Sequence, residues 1–195
     1  SCLDTFRYQI PAFSKHYQCI LPERRGHGHT ADSPGAYSYK QMADDMVAFM
    51  SELKINAASM IGYSDGANLM LHLAQNHPDM IKKCVFIGGN FHHSGCDPIQ
   101  QEELRRMPPD YVGEEGVDPR YIQYSPDGEE HYAKVFAKVR KLWLTEPEFR
   151  LDDIRSISMP SLVIAGDHDT IRLEHTLTFA NTLPDADVCI LPNTT

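Results

Sequence analysis

Residues 59–70, "SMIGYSDGANLM", contain the most informative local pattern in the chain. An apolar run ends at Gly62, Ser64 stands in a G-x-S-x-G pattern, and an amphipathic segment follows. A tight turn between a strand and a helix projects a serine hydroxyl above the sheet, and Gly62 and Gly66 would let the strand and the helix approach closely. The pattern predicts Ser64 as a candidate nucleophile and the Asp65 backbone N–H as an oxyanion donor, with a helix N-cap as the alternative role for the serine.

The segments around this turn alternate between short apolar runs and helical patterns. This alternation is typical of the α/β class, with a mostly parallel sheet and helices on both faces. We expect one helix after a cap at Tyr37-Ser38, with a buried stripe of Met42, Met46, Phe49, Met50 and Leu53. Further helices are predicted over 65–78 and 172–183, and strands at the start of 17–30 and over 57–62, 83–89, 160–167 and 186–191.

Residues 91–150 interrupt the alternation with many prolines and charges. Only 129–144 has a convincing helical pattern there. We therefore predict an α/β core over 1–90 and 151–195, and a helical cap insertion over 91–150.

Composition excludes several classes of protein. The 195 residues carry 18 basic and 27 acidic side chains, a formal charge of -9 without long runs of one sign, which argues against a nucleic-acid partner. No stretch approaches the roughly 18 apolar residues of a membrane span. The odd number of scattered cysteines favours reduced, mostly buried thiols and a cytoplasmic location. These cysteines are Cys2, Cys19, Cys84, Cys96 and Cys189.

A serine nucleophile needs a base, and the base needs a carboxylate that orients it. When the catalytic residues occur along the chain in the order serine, acid, histidine, the acid lies in the loop after a later strand. Asp167 and Asp169 both lie in the loop after the apolar run 160–167. Position alone does not separate them, and capping the next helix or forming a turn is the alternative role for either.

Four motifs extend the pattern over nearly the whole chain. They are "ERRGHGHT" (23–30), "GYSDGAN" (62–68), "HPDMIKKCVFIGGN" (77–90) and "PSLVIAGDHDTI" (160–171). In this order and spacing they resemble the α/β-hydrolase-fold serine hydrolases, in particular carboxylesterase-like members similar to valacyclovir hydrolase.

The resemblance implies roles for individual residues. Ser64 matches the nucleophile, Asp169 matches the acid as the second aspartate of G-D-x-D, and Asp167 would be structural. Glu23 stands where the family usually has aspartate, in a loop that supports the shape of the site. The family's second oxyanion donor follows a His-Gly motif, expected before Ser1, and its catalytic histidine lies in a P-x-x-x-H loop, expected after Thr195. We therefore expect a fragment truncated at both ends that hydrolyses a generic ester at near-background rate.

None of the ten histidines occupies the position of the base. The cluster "HHSGCD" (92–97) has no recognisable zinc spacing, so we expect no metal and no cofactor. The resemblance implies hydrolysis of a small ester or similar acyl substrate. Acyl transfer, lactone opening or C–C hydrolysis on the same triad, or ligand binding without catalysis, are the alternatives. The Asp65 side chain, with Glu114 and Glu115, would favour a cationic substrate, although helix capping explains Asp65 equally well.

Overall fold

The computed structural model describes residues 2–195 and contains one four-stranded sheet. Its strands are β1 (Ala58–Tyr63), β2 (Ile81–Ile87), β3 (Ser161–Gly166) and β4 (Ala186–Leu191). Neighbouring strands follow chain order and all three pairs are parallel. The carboxyl ends of all four strands therefore share one edge of the sheet, where ligands bind in open α/β folds. The predicted α/β class is confirmed.

Helices connect and flank the strands. Helix α3 contacts β1 and β2, helix α8 contacts β3 and β4, and the short α7 contacts both of these helices. The α-helices are α1 (Ile10–Phe13), α2 (Tyr39–Glu52), α3 (Asp65–Asn76), α4 (Pro98–Arg106), α5 (Pro119–Tyr124), α6 (Tyr132–Thr145), α7 (Leu151–Arg155) and α8 (Leu173–Thr182). Single 3₁₀ turns cover Leu3–Phe6, Pro78–Met80, His93–Gly95 and Glu129–His131.

The chain divides into two compact units. Residues up to Ala36 and Met107–Arg140 form the first unit, and Tyr37–Arg106 with Lys141–Thr195 form the second, which holds the whole sheet. The core of the second unit lies between the sheet and its helices, where the Phe86 ring meets the edge of Phe179 at a centroid distance of 5.2 Å. The division into an α/β core over 1–90 and 151–195 and a helical cap over 91–150 stays a prediction.

The first unit contains the loop 23–30, in which Glu23 is the organising residue. Its carboxylate accepts hydrogen bonds from the backbone N–H groups of Leu3 and His29, each at 2.8 Å, and contacts His29 Nδ1 at the same distance. Burial alone would raise the pKa of Glu23, but the backbone N–H groups of His29 and Leu3 and the His29 ring together outweigh it, so the pKa is lowered. Gly28 has a φ of +57°, and a Cβ there would collide with the Glu23 carboxylate. Glutamate at this position therefore serves as a loop scaffold.

Two predictions about secondary structure are wrong. The strand predicted at the start of 17–30 does not form, because no strand among residues 2–195 pairs with it. Helix α2 begins at Tyr39, and Ser38 Oγ accepts the Gln41 N–H as predicted, but Phe49 and Leu53 are exposed. The buried face of α2 instead consists of Tyr39, Met42, Ala43 and Met50.

All five cysteines are free thiols, and their burial is mixed. Cys2 and Cys84 are buried, Cys19 and Cys96 are half-buried, and Cys189 is exposed, so the expectation of mostly buried thiols holds only in part. Burial raises the pKa of Cys84 to about 12. Among residues 2–195, no helix has the combined length and apolar character needed to cross a membrane.

Candidate functional site

Ser64 lies at the junction between β1 and α3 in an unusual backbone conformation. Its φ is 53° and its ψ is -119°, a region that L-residues rarely adopt and that costs on the order of 1–3 kcal/mol. The Ser64 N–H donates to Ile87 O at 2.8 Å, so the turn is held at the end of the β1–β2 ladder. The side chain is exposed and makes no capping hydrogen bond to α3. The N-cap role that was the alternative for this serine is therefore not what the structure shows.

Close contact between β1 and α3 occurs at one glycine. A Cβ at Gly62 would lie 2.5 Å from the backbone carbon and oxygen of Gly66, so no larger residue fits there. At Gly66 a Cβ would meet nothing within 4 Å. The prediction that a missing side chain lets the strand and the helix approach is thus right for Gly62 and wrong for Gly66. Gly66 contributes only its backbone, which Gly62 contacts.

Asp169 stands above the end of β2, at the same edge of the sheet as Ser64. Gly88 follows β2 directly with a φ of +56°, and a Cβ there would lie 3.1 Å from Asp169 Oδ2. The carbonyl of Ile87, the residue before Gly88, is the acceptor for Ser64 N–H. The other carboxylate oxygen, Asp169 Oδ1, accepts the Ile171 N–H at 3.0 Å. One oxygen is therefore fixed by its own loop while the other faces the turn beside Ser64.

Asp167 has a different set of contacts. Its Oδ1 accepts the Thr194 N–H at 3.1 Å, and its own N–H donates to Leu191 O. Backbone hydrogen bonds from Asn193 and Thr194 hold the pKa of Asp167 below its ordinary value. Asp167 thus joins the end of β3 to the turn that follows β4, whereas Asp169 lies over Gly88.

The Asp65 carboxylate is buried beneath the turn and bound on one oxygen by two neutral donors. Tyr39 OH and Trp143 Nε1 each donate to Asp65 Oδ1 at 2.7 Å, and the residue is only 6% exposed. The side chain therefore does not present its charge to a ligand, which corrects the expectation that Asp65 attracts a cationic substrate. The Asp65 amide belongs to the first turn of α3, where N–H groups point toward the helix N-terminus.

A second pair of polar residues continues this buried network. Asn68 Oδ1 accepts the Asn90 N–H at 2.9 Å, and Asn68 Nδ2 donates to Asn90 Oδ1 at 2.8 Å and to Tyr39 OH at 3.3 Å. The loop after β2 is thereby fixed to the first turns of α3. No sequence motif identified Tyr39, Asn68, Asn90 and Trp143 as supports of the site. One signal in the sequence could have identified them. It is the presence of polar side chains at helix and loop positions that the apolar pattern predicts to be buried.

We expect Asp65→Ala to lower the free energy of unfolding by about 2–4 kcal/mol, because it removes the acceptor shared by the buried Tyr39 OH and the half-buried Trp143 Nε1. Asp65→Asn keeps one acceptor oxygen and should lose less. Urea titration of both variants measures the effect. Asp79→Ala, at an exposed acid, serves as the control and should stay within about 0.5 kcal/mol of the parent. Equal stability of Asp65→Ala and Asp79→Ala would contradict the network.

Two histidines of the second unit, His72 and His175, are packed against aromatic rings. His175 is stacked on Phe91 with ring centroids 4.0 Å apart, and its Nε2 accepts the Phe91 N–H. His72 packs against Phe149 with ring centroids 4.6 Å apart. Burial, strengthened by the positive charge of Arg172 for His175 and of Lys40 for His72, lowers the pKa of each to about 4. Both rings are therefore neutral packing residues at pH 7.

These two histidines make the fold sensitive to acid. Since their pKa values are about 4 when folded and about 6.5 when unfolded, the unfolded chain binds more protons between these limits. We expect these two histidines to leave the free energy of unfolding unchanged above pH 6.5 and to lower it as the pH drops toward 4. His72→Phe keeps a ring against Phe149 and removes one titration, so its melting temperature should decline less over this window. Parallel pH profiles of the variant and the parent would contradict this.

Taken together, the carboxyl edge of the sheet holds an exposed hydroxyl, a carboxylate and the N-terminal turn of a helix. A hydroxyl in this setting can attack an electrophilic carbonyl once a base removes its proton. The helix amides can stabilise the negative charge that develops on the carbonyl oxygen. The predicted assignments of Ser64, Asp169 and the Asp65 amide stay predictions, and all three lie at this edge.

Comparison with known proteins gives consistent results. The model of the alpha/beta hydrolase fold family matches residues 1–120. A Caulobacter segnis protein named "Putative carbamate hydrolase RutD" is 36% identical over 83 residues, which are 42% of this chain and 31% of that protein. The 2-hydroxymuconate semialdehyde hydrolase of Pseudomonas sp. strain CF600 is 26% identical over 201 residues, covering 94% of this chain and 71% of the relative. The matched segment thus spans about a third of the length of the first relative.

Solved structures share the fold. The meta-cleavage product hydrolase from Pseudomonas fluorescens IP01 superposes with a TM-score of 0.80 at 21% sequence identity. The superposition covers 100% of this chain and 78% of that one. At this identity the likeness shows the fold alone.

Proposed function

From the premise that this chain belongs to the alpha/beta hydrolase fold family, we propose that the complete protein is a serine hydrolase of esters or similar acyl compounds. The observation that carries the proposal is the exposed Ser64 held at a φ of 53° between β1 and α3. A backbone conformation that is this unfavourable in free energy persists only where the surrounding structure enforces it. Residues in such conformations cluster at active sites.

Each polar group at the edge has a role in the proposed reaction. Ser64 Oγ attacks the carbonyl carbon while a histidine takes its proton, and Asp169 orients that histidine and stabilises its positive charge. The Asp65 N–H donates to the oxygen that becomes negative in the tetrahedral intermediate. The leaving group departs with the proton from the histidine, and water then releases the acyl group from Ser64 by the same steps.

The proposed histidine follows Thr195 in the complete protein. The turn after β4 supports this placement, because Thr194 N–H donates to Asp167 Oδ1 and Thr194 O accepts the His168 N–H. The backbone at Thr194 is thus held beside the loop that carries Asp169. Reading the codons after Thr195 is an inexpensive test. A histidine within the next few residues supports the triad, and a complete chain without one there contradicts it.

A second candidate reaction is hydrolysis of a C–C bond on the same residues. The relative that covers 94% of this chain is a 2-hydroxymuconate semialdehyde hydrolase, and this specific observation favours the alternative. Lactone opening and acyl transfer would use the same nucleophile, and a protein of this fold that binds a ligand without catalysis is the remaining alternative.

Turnover of a substrate panel by the complete protein tests the proposal. The panel contains an aryl ester, a lactone, a carbamate and a meta-cleavage product, each assayed with the parent and with Ser64→Ala. We expect kcat/KM to be highest for the ester and to depend on Ser64. If the meta-cleavage product reacted faster than the ester, C–C hydrolysis would replace ester hydrolysis as the proposed reaction. Binding of panel members without turnover of any of them would contradict the proposal that the protein is an enzyme.

A further inference from the structure

His92, His93 and Glu148 form a cluster in the second unit that the proposed reaction does not use. Each offers one atom that can bind a metal, and these three atoms lie within 4.8 Å of one another. His92 and His93 are half-buried and Glu148 is exposed. We propose that this cluster is a binding site for a divalent transition-metal ion of the zinc type, which joins the chain segment at 91–93 to the segment at 147–149.

The separation of the ligand atoms fits such an ion. His93 Nε2 lies 3.6 Å from Glu148 Oε1, which is long for a hydrogen bond. Two ligands at about 2.1 Å from zinc, arranged at a tetrahedral angle, are about 3.4 Å apart. The ligand atoms are at most 4.8 Å apart, so closing the widest separation to this geometry takes a movement of about 1.4 Å. Water would complete a four-coordinate shell on the exposed side.

The backbone around the cluster is already fixed. His93 N–H donates to Pro147 O at 2.7 Å, and Phe149 N–H donates to Phe91 O at 2.9 Å. His92 and Glu148 face each other across this short antiparallel bridge. The three side chains are therefore brought together before an ion binds, so that binding costs little additional ordering of the chain.

Neighbouring contacts orient the two imidazoles. Ser94 N–H donates to His92 Nδ1 at 3.2 Å, Ser94 Oγ lies 2.8 Å from the same nitrogen, and the rings of His92 and His93 stack with centroids 4.4 Å apart. When His92 Nε2 binds an ion, Nδ1 carries the ring proton and donates it to Ser94 Oγ, which holds the ligand ring in a defined plane. His93 Nδ1 is buried and has no hydrogen-bond partner among residues 2–195. The His93 ring is therefore held by its stacking on His92 and by the approach of its Nε2 to Glu148.

The chemistry of the donors selects the type of ion. Two imidazoles and one carboxylate suit zinc and similar transition metals, whereas calcium and magnesium prefer sets of oxygen ligands. The sequence does not predict the site, because the metal-binding residue types nearest to the two histidines in the chain are Cys96 and Asp97 and not Glu148. Asp97 Oδ1 instead accepts the Ile99 and Gln100 N–H groups at the start of α4, and Glu148 is supplied by a distant part of the chain.

Titration of the complete protein with Co²⁺ and Zn²⁺ tests the site. We expect one equivalent of Co²⁺ to give visible absorption bands of nitrogen and oxygen coordination without thiolate charge-transfer bands, and excess Zn²⁺ to raise the melting temperature. Glu148→Gln keeps the size of an exposed side chain and should weaken Zn²⁺ binding by at least about tenfold, as should His93→Ala.

His16→Ala removes an exposed histidine of the first unit and serves as the matched control. Its Zn²⁺ affinity should equal that of the parent. The proposal is overturned by the absence of saturable binding, by thiolate bands in the Co²⁺ spectrum, or by a Zn²⁺ affinity that is unchanged in both Glu148→Gln and His93→Ala. Because Glu148 is exposed, a folding defect of His93→Ala alone leaves the test decisive.

Discussion

Ser64→Ala should lower kcat/KM of the complete protein toward its best ester substrate by about 10⁴- to 10⁶-fold. The loss is large because the substitution removes the only atom proposed to form a bond with the substrate. Rate enhancement left in the variant would come from substrate binding and the helix amides. Stopped assays at several enzyme concentrations measure the residual rate above the uncatalysed reaction.

The fold should survive this change. Ser64 Oγ makes no capping hydrogen bond to α3, and alanine and serine are both strained at a φ of 53° because each has a Cβ, so urea titration should give a stability within about 1 kcal/mol of the parent. A folded Ser64→Ala protein that keeps more than a tenth of the activity would show that the nucleophile lies elsewhere.

Asp169→Asn should reduce kcat by about 10⁴-fold, an effect of the size seen for the acid of serine-protease triads. The amide would keep the shape of the side chain and the Ile171 N–H contact through its oxygen. It would lose the negative charge that stabilises the histidine cation. The KM for the ester should change much less than kcat, because Asp169 is not proposed to touch the substrate.

Asp167→Asn is the matched control, two residues away in the same loop. Asp167 accepts the Thr194 N–H, whereas Asp169 Oδ2 is the carboxylate oxygen that a Cβ at Gly88 would approach. We expect this variant to lose some stability and to keep most of its kcat. If Asp167→Asn abolished turnover and Asp169→Asn did not, the roles of the two aspartates would be exchanged.

The sequence could predict the parts of the site that depend on local patterns. The apolar run before Gly62 and the amphipathic segment after Ser64 identify a strand, a turn and a helix without reference to the rest of the chain. The strand β4 is likewise placed at its predicted bounds, 186–191. These elements are defined by side-chain periodicity, which is a property of contiguous residues.

The parts that the sequence could not predict depend on distant partners. The Asp65 carboxylate is bound by Tyr39 and Trp143, which lie 26 and 78 residues away. Glu148 approaches His93 through a bridge that no local pattern marks. Helices α4, α5 and α7 were missed because helices of five to nine residues show too little periodicity to stand out from loops.

Labelling of the complete protein with a fluorophosphonate, followed by mass spectrometry of its peptides, tests the central claim most directly. A fluorophosphonate reacts much faster with an activated serine hydroxyl than with ordinary side chains and forms a stable bond with it. We predict a single adduct on Ser64 that appears in step with the loss of esterase activity and is absent from Ser64→Ala. An active protein that stays unlabelled, or that carries its adduct on another residue, would contradict the assignment of Ser64 as the nucleophile.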